Sequence, residues 1–511
     1  MPGWERRSFP APEGSRATIV YGDLGQIAFA PRDLAAFNAA GPVLHDSAQR
    51  SADLGGYVHV LGLGGSTLHY VGEAHRLHPD AFRLHSLTGQ GANWPISYAT
   101  LEPYYALAET RIGVAGRGIG AGARWRSTPF PQSPHPQSPA AKLLGQAAAR
   151  LGWNWEDNPR AALSEPRYSG AGTQGRPACN YCGHCARGCP LGDKGSTDVT
   201  FLRDAAQTGR LEIVTGATVT RLYRRASGGI AALDYHHAGE IHRQETPLLF
   251  LCAGAVQTPR LLLASRDAEE PDGIANSAHQ VGKNFMETLG YTVSGLVPGL
   301  QLSQRGLPAD AACWEFNAPA SLDGLAGGFR LHSSVQETGL NGPIRHASRL
   351  ITGHGAALKA RIRESFGSAV SVSATGEVIP DARSQITVSE TRRDRFGVPL
   401  PVINSVLTDH SLALLHQMAA AARRLLREAG SPREIEQFSS YDSFTATHVH
   451  GTCRMGNDPA TSVTNGWGQS HDHPNLYIAD ASLFPSTGGG EGPALTISAL
   501  ALRAADKALA E

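Results

Sequence analysis

The sequence lacks a net charge, a long apolar run and an apolar leader. Lysine plus arginine and aspartate plus glutamate each number 45 in 511 residues, so the formal charge is zero. This balance argues against a nucleic-acid-binding protein, which would favour a basic domain. The longest apolar stretches, such as residues 248–256, are far too short to cross a bilayer, so no transmembrane segment is expected. The opening residues, MPGWERR, hold no hydrophobic signal region, and we expect a cytoplasmic protein.

The chain does have the length and the apolar content for more than one core. Hydrophobic residues make up 41% and charged residues 18%, which is typical of packed globular proteins and not of disordered ones. A length of 511 residues exceeds a single ordinary core. The sequence therefore predicts two closely packed domains.

Hydrophobic and turn patterns predict an α/β chain from about residue 196 onward. Predicted helices cover residues 199–207, 412–429 and 495–509, and predicted strands cover 211–214, 219–223, 247–252 and 476–479. The first two strands are expected to pair with each other. The third is expected to lead through a small-residue turn into a helix that begins after Pro259, an arrangement found at nucleotide-binding edges and also in ordinary buried strand–helix units.

Four of the seven cysteines fall inside eleven residues: Cys179, Cys182, Cys185 and Cys189. Their spacing, C-x2-C-x2-C-x3-C-P, is that of a bacterial ferredoxin cluster, in which turns bring the thiolates around an iron–sulfur core. An iron–sulfur cluster, a structural zinc ion and free or disulfide-bonded cysteines are all compatible with this run. The remaining cysteines are predicted to be small buried residues: Cys252, Cys313 and Cys453.

Several short segments, in a fixed order, carry a family resemblance. They are GGSTLH at 64–69, NWPISY at 93–98, GAVQTPRLLL at 254–263, HVHGTCRMG at 448–456, NLYIADAS at 475–482 and GPALTI at 492–497. From about residue 55 to the end, the chain resembles the glucose–methanol–choline (GMC) family of flavin-dependent oxidoreductases.

The resemblance implies a mixed α/β fold with a discontinuous FAD-binding domain and a substrate domain built on an antiparallel sheet. It assigns residues 1–290 and 441–511 to the FAD-binding domain and residues 291–440 to the substrate domain. The implied reaction is FAD-dependent oxidation of a CH–OH group in a small alcohol or sugar-like substrate. The flavin would accept the hydride.

The resemblance also implies roles for individual residues. His448 matches the catalytic acid/base, a task that suits an imidazole because its pKa lies near neutral; His450 is the neighbouring alternative. The implied cofactor-binding residues are Gly64, Gly65 and Ser66 in the first signature, Gly254 in the second, Val219 near the adenine, Asp480 and Ala481 near the ribityl chain and pyrophosphate, and Pro493 in the closing motif. For Val219 and Asp480, an ordinary position in a sheet or at a strand end is the alternative.

The start of the chain departs from the family. GMC proteins begin with a βαβ unit that carries G-x-G-x-x-G, and its helix N-terminus receives the pyrophosphate. No such unit is recognisable at the start of this sequence. Residues 118–123, GIGAGA, fit the letters, but no clear strand precedes them and a proline-rich stretch follows. A truncated reading frame or a misassigned start is the expected cause.

A second departure concerns the substrate hydroxyl. The family usually places asparagine or histidine there, and the matching residue here is Gly492, which has no side chain to donate or accept a hydrogen bond. The adjacent Glu491 is predicted to be a solvated turn residue, and the alternative is that it substitutes for the missing polar partner.

These departures leave rival hypotheses open. The chain could be a GMC fold without flavin that serves as a binding scaffold, or a separate polypeptide could supply the absent βαβ unit. For an active enzyme, an iron–sulfur cluster implies a dehydrogenase that passes electrons to a separate acceptor protein. Without a cluster, molecular oxygen could be the acceptor.

Overall fold

The computed structural model describes residues 18–20, 26–29, 59–118, 125–166, 175–336, 338–351, 353–440 and 448–510. The predicted absence of a βαβ unit in the first few dozen residues, and all but the first residue of the GIGAGA segment, lie outside these ranges. Within them the chain alternates helices and short strands, as the α/β prediction requires.

The strands of the described chain are short, and most are antiparallel. They are β1 (Thr18–Val20), β2 (Gln26–Phe29), β3 (His59–Leu61), β4 (Trp155–Asp157), β5 (Thr218–Arg224), β6 (Ile230–His237), β7 (Glu240–Glu245), β8 (Leu249–Leu251), β9 (Met286–Glu287), β10 (Leu289–Leu296), β11 (Ala311–Cys313), β12 (Phe329–Ser333), β13 (Ala369–Gly376), β14 (Gln385–Arg393), β15 (Pro399–Ser405), β16 (Glu434–Ser439), β17 (Val449–His450) and β18 (Leu476–Ile478).

The described helices are α1 (Leu84–Thr88), α2 (Tyr98–Ile112), α3 (Pro139–Arg150), α4 (Phe201–Gln207), α5 (Gly254–Ala264), α6 (Pro343–Leu350), α7 (Gly355–Ser365), α8 (Asp409–Glu428) and α9 (Ala494–Ala510). Hydroxyl side chains cap several of them. At α8, for example, the Thr408 side chain accepts a hydrogen bond from the Ser411 backbone N–H, which satisfies one of the free donors at a helix start. None of the described helices combines the length and apolar content needed to cross a bilayer.

A six-stranded antiparallel sheet forms one half of the molecule. Its strand order is β16-β10-β13-β12-β11-β4. Helix α8 packs on this sheet and buries Leu414, Met418 and Leu425 against Val293 and Val372. The antiparallel sheet expected for this fold class is therefore present, and it also includes β4 from an earlier part of the chain.

The other half of the molecule contains the parallel pair β8–β18 and the antiparallel sheet β5-β6-β7. Its core joins α2 to α9, where the Tyr105 hydroxyl lies 2.8 Å from Thr496 Oγ1. Because β8 and β18 run in the same direction, their carboxyl ends meet at one edge. Ligands of α/β sheets commonly bind at such an edge.

Two predictions about local structure are wrong. Residues 211–214 form no strand; Leu211, Ile213 and Val214 are exposed, and β5 pairs with β6 instead. Apolar alternation favours a strand only where a partner strand is available. The helix expected after Pro259 begins at Gly254, five residues before that proline, and contains it.

Candidate active site

A proline inside α5 leaves one backbone carbonyl of the helix without its usual hydrogen-bond donor, and the HVHGT motif supplies another donor. Pro259 has no N–H to donate to the carbonyl of Ala255, four residues earlier. Thr452 Oγ1 donates to that carbonyl at 2.7 Å. The threonine of the HVHGT motif is therefore attached to the helix of the second signature.

Replacing Thr452 by valine should lower the free energy of unfolding by about 1–3 kcal/mol, because the buried Ala255 carbonyl would lose its donor. Urea unfolding followed by circular dichroism measures the change. Thr452→Ser keeps the hydroxyl and should retain most of the stability. Equal losses in the two variants would show that the methyl group, and not the hydrogen bond, matters at this position.

His448 immediately precedes β17, which pairs with β9. The Thr288 backbone N–H donates to the His448 carbonyl at 3.1 Å. The turn that follows needs glycine, since Gly451 has φ +92° and a Cβ there would lie 2.2 Å from the Asn284 carbonyl oxygen. Backbone hydrogen bonds thus fix the position of the histidine.

Both histidines of the motif are neutral near pH 7. Burial lowers the pKa of His448 to about 4, with the Glu73 carboxylate opposing the shift and Arg330 adding to it. Burial lowers the pKa of His450 to about 3. The His450 ring is fully buried, and its centroid lies 5.1 Å from that of Phe484. A neutral imidazole can accept a proton, and His448, which is only partly buried, is the more accessible of the two.

Asp480 joins the carboxyl ends of the parallel strands to the start of α5. Its carboxylate accepts hydrogen bonds from the Gly254 N–H at 2.9 Å and from Thr258 Oγ1 at 2.5 Å. A carboxylate at a helix N-terminus is favoured by the helix dipole. The next residue, Ala481, accepts from the Gly451 N–H at 3.2 Å. Gly254, Asp480 and Ala481 are thereby brought next to the His448 turn.

The first signature loop is attached to the cysteine-rich segment by a buried lysine. Gly64, Gly65 and Ser66 stand at the start of a 3₁₀ turn, Gly65–Leu68. The Lys194 ammonium donates to the carbonyls of Thr67, Leu68, Tyr70 and Cys185 at 2.8–3.0 Å. Lys194 therefore links the two segments in the interior of the protein.

The region of Gly492 contains side chains from an unexpected segment. The Gly492 N–H donates to His75 Nδ1 at 2.8 Å. A Cβ at Gly492 would lie 3.6 Å from the Cβ of Glu73 and 3.6 Å from His75 Nδ1. Pro493 follows at the start of α9. No sequence motif marks Glu73 or His75, whose only signal is their closeness to the first signature.

Glu491 is buried, contrary to the prediction of a solvated turn. Its Oε1 accepts from the His78 N–H at 3.0 Å and from Asn317 Nδ2 at 2.9 Å. The carboxylate thus fastens the glycine-rich loop before α9 to the segment after Glu73 and to the antiparallel-sheet half. Local turn residues predicted exposure, but contacts with segments far away in the sequence bury this side chain.

The described residues leave room for FAD, the cofactor that the resemblance implies, at the start of α5. No atom lies within 4 Å of a Cβ built on Gly254, so the backbone there borders open space. Beside the first signature loop, Thr67, Glu73 and Leu495 line only a small recess, and the contact of FAD with that loop stays a prediction.

Val219 lies apart from these groups. It is on β5, and its side chain is 40% exposed. Strand β5 packs beside α5, and the Leu222 N–H donates to Ser265 Oγ at 2.9 Å. The contact between the Val219 backbone and an adenine stays a prediction.

The four clustered cysteines are not arranged as a metal site. Among the residues that the structure describes, no group of three or more histidine, cysteine or carboxylate side chains could hold a metal ion. Cys182 is exposed, whereas Cys185 and Cys189 are buried. Cys189 Sγ donates to Asp193 Oδ1 at 2.7 Å, and burial beside Asp193 raises the pKa of Cys189 to about 12. Burial likewise raises the pKa of Cys179 and of Cys185.

All seven cysteines are free thiols. Of the three cysteines outside the run, Cys313 and Cys453 are buried as predicted. Cys252 is exposed, so its predicted burial is wrong.

Comparisons with known proteins agree on one family. Two family models described as GMC oxidoreductase match residues 95–289 and 380–501. The chain is 33% identical to 6'''-hydroxyparomomycin C oxidase of Streptomyces lividus over 460 residues, which cover 86% of this chain and 77% of that protein. It is 28% identical to the fructose dehydrogenase large subunit of Gluconobacter japonicus over 461 residues, covering 88% and 80%.

A solved structure shows the same fold. Pyridoxine 4-oxidase from Mesorbium loti aligns with a TM-score of 0.59 at 17% sequence identity. The alignment covers 89% of this chain and 86% of that one.

Proposed function

Since the chain belongs to the GMC oxidoreductase family, we propose that it oxidises a CH–OH group of a small alcohol or sugar-like substrate with FAD as cofactor. The observation that carries the proposal is the position of His448. Burial keeps its imidazole neutral, and its backbone carbonyl accepts from the Thr288 N–H, next to the β17–β9 pair. The named relatives, an oxidase and a dehydrogenase, support the class of reaction.

We propose a division of labour that follows the two halves of the molecule. Residues 1–290 and 441–511 would form the FAD-binding domain, and residues 291–440 the substrate domain. FAD would lie along the first signature loop, Gly254 and Asp480. When bound, it supplies an acceptor for the hydride of the carbinol carbon.

His448 would act as the general base. Its ring nitrogen would take the proton of the substrate hydroxyl, which makes the carbinol a better hydride donor. Backbone hydrogen bonds at Thr288 and Gly451 hold the main chain on both sides of the motif in place, which limits the reorganisation needed for the transfer.

Flavin binding and reduction test the proposal. The purified protein is mixed with FAD, desalted and examined for the yellow flavin absorption. It is then exposed without air to a panel of alcohols and sugars, including fructose and an amino sugar, chosen for the names of the relatives. Bleaching of the flavin by one of them is the expected result. A colourless protein that stays so after FAD addition would favour the scaffold hypothesis, which the missing side chain at Gly492 supports.

The rate of flavin reduction should fall only at an unusually low pH. Because burial lowers the pKa of His448 to about 4, the proton-accepting form predominates above that pH. The kcat/KM for flavin reduction should therefore rise through about pH 4 and level off toward neutrality. Circular dichroism at each pH separates this limb from acid unfolding. A limb near pH 6.5, the ordinary value for histidine, would contradict a base in this environment.

The identity of the electron acceptor depends on whether the protein holds an iron–sulfur cluster. A cluster at Cys179, Cys182, Cys185 and Cys189 stays a prediction from their spacing, and with a cluster we expect a separate acceptor protein. Iron and acid-labile sulfide are measured in protein purified without air, with Cys182→Ser as comparison. Iron lost in that variant supports the cluster, whereas iron-free protein leaves molecular oxygen as the simpler acceptor. A cytoplasmic location likewise stays a prediction.

A further inference from the structure

The six-stranded sheet has one apolar face and one polar face. Val293, Leu331 and Ala374 pack in the same core as α8. Because side chains alternate across a strand, the residues between them point to the opposite face. That face carries hydroxyl, imidazole and guanidinium groups: Thr292 on β10, Ser371, Ser373 and Thr375 on β13, and Arg330 and His332 on β12. Thr292 Oγ1 lies 2.7 Å from Ser373 Oγ, which confirms that the two side chains share this face.

The centre of the polar face is open. Strand β13 lies between β10 and β12, so its side chains have neighbours on both sides. Ser373 and Thr375 are nevertheless only half-buried, as is Gly290, the β10 partner of Thr375. Ser371, two residues before Ser373 on the same face, is fully buried. We call the open area over Gly290, Ser373 and Thr375 the sheet recess.

The sheet recess is bordered by the two segments that the family resemblance assigns to the substrate hydroxyl. Immediately before β10, the Thr288 N–H donates to the carbonyl of His448 at 3.1 Å, and His448 is itself only partly buried. On the other side lies the glycine-rich loop that leads to Gly492. A Cβ built on Gly490 of that loop would clash with the Thr375 carbonyl oxygen. A molecule that reaches His448 therefore has the polar sheet face beside it.

Hydrogen bonds within the protein use the protons of the two hydroxyls in the recess. Ser373 Oγ donates to Ser334 Oγ at 2.7 Å. His332 Nδ1 lies 3.2 Å from the Ser333 carbonyl, which can only accept, so Nδ1 carries the proton and Nε2 is the acceptor. Thr375 Oγ1, 3.5 Å from His332 Nε2, is the donor of that pair. Both hydroxyl oxygens keep lone pairs that can accept from a bound molecule.

A hydrogen-bond donor lies at the edge of the sheet recess. Arg330 is the β12 partner of Thr375 and is fully buried. Its Nη2 donates to Glu73 Oε2 at 2.7 Å, and its Nε donates to the Gly490 carbonyl at 2.6 Å. Among the described residues, Arg330 Nη1 has no hydrogen-bond partner. Since a buried donor without an acceptor is destabilising, Nη1 suits a hydroxyl oxygen of a bound molecule.

We propose that Ser373, Thr375 and Arg330 form a subsite for substrate hydroxyls other than the one that is oxidised. This inference rests on the proposed function and narrows its substrate class to polyhydroxylated molecules. Substrate hydroxyls would donate to the two oxygens on β13 and accept from the guanidinium group on β12. A hydrocarbon chain in the sheet recess would leave these groups unpaired, and sites built to bind a hydroxyl discriminate strongly against analogues that lack it.

Substrates matched in carbon number test the substrate class. Glucitol and the hexoses carry several hydroxyls on six carbons, whereas 1-hexanol and cyclohexanol carry one. With flavin-loaded wild-type protein, kcat/KM for flavin reduction by the best polyhydroxylated substrate should exceed that of the best monohydric alcohol by about a hundredfold or more. Equal values, or a preference for a monohydric alcohol, would overturn the inference.

Thr375→Val removes one hydroxyl of the subsite with little change in shape. We expect kcat/KM for the best polyhydroxylated substrate to fall about tenfold or more, chiefly through KM, with little change for monohydric alcohols. Thr375→Ser keeps the hydroxyl and should retain most of the wild-type value. Ser371→Ala is the matched control, because the Ser371 hydroxyl bonds to Ser294 Oγ at 2.8 Å in the buried part of the same face. Equal losses for both classes of substrate in Thr375→Val, or no loss for either, would contradict the subsite.

Binding without turnover separates this inference from the proposed function. Saturation-transfer NMR records contact of glucitol, the hexoses and 1-hexanol with the protein, both with and without flavin. A polyhydroxylated probe should give signals that weaken in Thr375→Val and persist in Thr375→Ser. If the wild type reduces no flavin with any substrate, the proposed function fails, and binding that depends on the Thr375 hydroxyl still supports the subsite. If none of the polyhydroxylated probes binds to wild-type protein that circular dichroism shows to be folded, the inference is overturned.

Discussion

Replacing His448 by alanine should lower the rate of substrate-driven flavin reduction by about a hundredfold or more. That is the usual scale for loss of a general base. The structure supports the size of the effect, because the only other histidine of the motif, His450, is fully buried against Phe484 and cannot readily take over. Stopped-flow reduction of the bound flavin under anaerobic conditions measures the rate directly.

The matched control for this variant is His346→Asn. His346 is also buried, but it lies on α6 and its Nε2 is 2.9 Å from Ser365 Oγ, in contact with α7 and not with the site. We expect its rate of flavin reduction to stay near wild type. Unchanged reduction in His448→Ala, in protein that holds its flavin, would refute the assignment of the base.

Replacing Lys194 by methionine should lower the free energy of unfolding by about 3–5 kcal/mol. The ammonium donates to four backbone carbonyls from two separate segments, and methionine offers none of these hydrogen bonds. Burial lowers the pKa of Lys194 to about 8, so the charged form, with all its donors, predominates at neutral pH. The carbonyls left behind would be buried acceptors without their donor.

Urea unfolding monitored by tryptophan fluorescence measures this loss, with Lys142→Met as the control. Lys142 lies on the exposed face of α3, so its replacement should change the midpoint little. The first signature loop should also become more open to proteolysis in Lys194→Met. Equal midpoints for the two variants would show that the carbonyls find other donors.

The long amphipathic helices could be predicted because their signals are local. Helix α8 was expected at residues 412–429 and is Asp409–Glu428, with an apolar stripe and a hydroxyl cap. Helix α9 and strand β18 also lie within a residue or two of their predicted limits. A stripe with helical period needs only one apolar surface to bury it, so the sequence is informative without knowledge of the partner.

The features that the sequence did not predict depend on contacts between segments that are far apart in the chain. Residues 211–214 have the composition of a strand, but strand formation depends on a partner that the local sequence does not specify. Glu491 has the local sequence of a solvated turn residue, and nothing in the sequence around Lys194 indicates the backbone carbonyls that it binds. Both are buried because partners more than a hundred residues away in the sequence satisfy them. Likewise, no motif marks Glu73; only the fold brings it to Gly492.

Pro259 and Thr452 have a consequence for how this protein can vary. Pro259 lacks the backbone N–H that would donate to the Ala255 carbonyl in α5. The Thr452 hydroxyl, almost two hundred residues away in the sequence, donates to that carbonyl instead. If Thr452 alone is replaced, the Ala255 carbonyl oxygen has no hydrogen-bond donor. If Pro259 alone is replaced, the new backbone N–H and the Thr452 hydroxyl compete for the same oxygen. In related proteins, the residues at these two positions should therefore vary together. A double substitution should lower the free energy of unfolding by less than the sum of the two single substitutions.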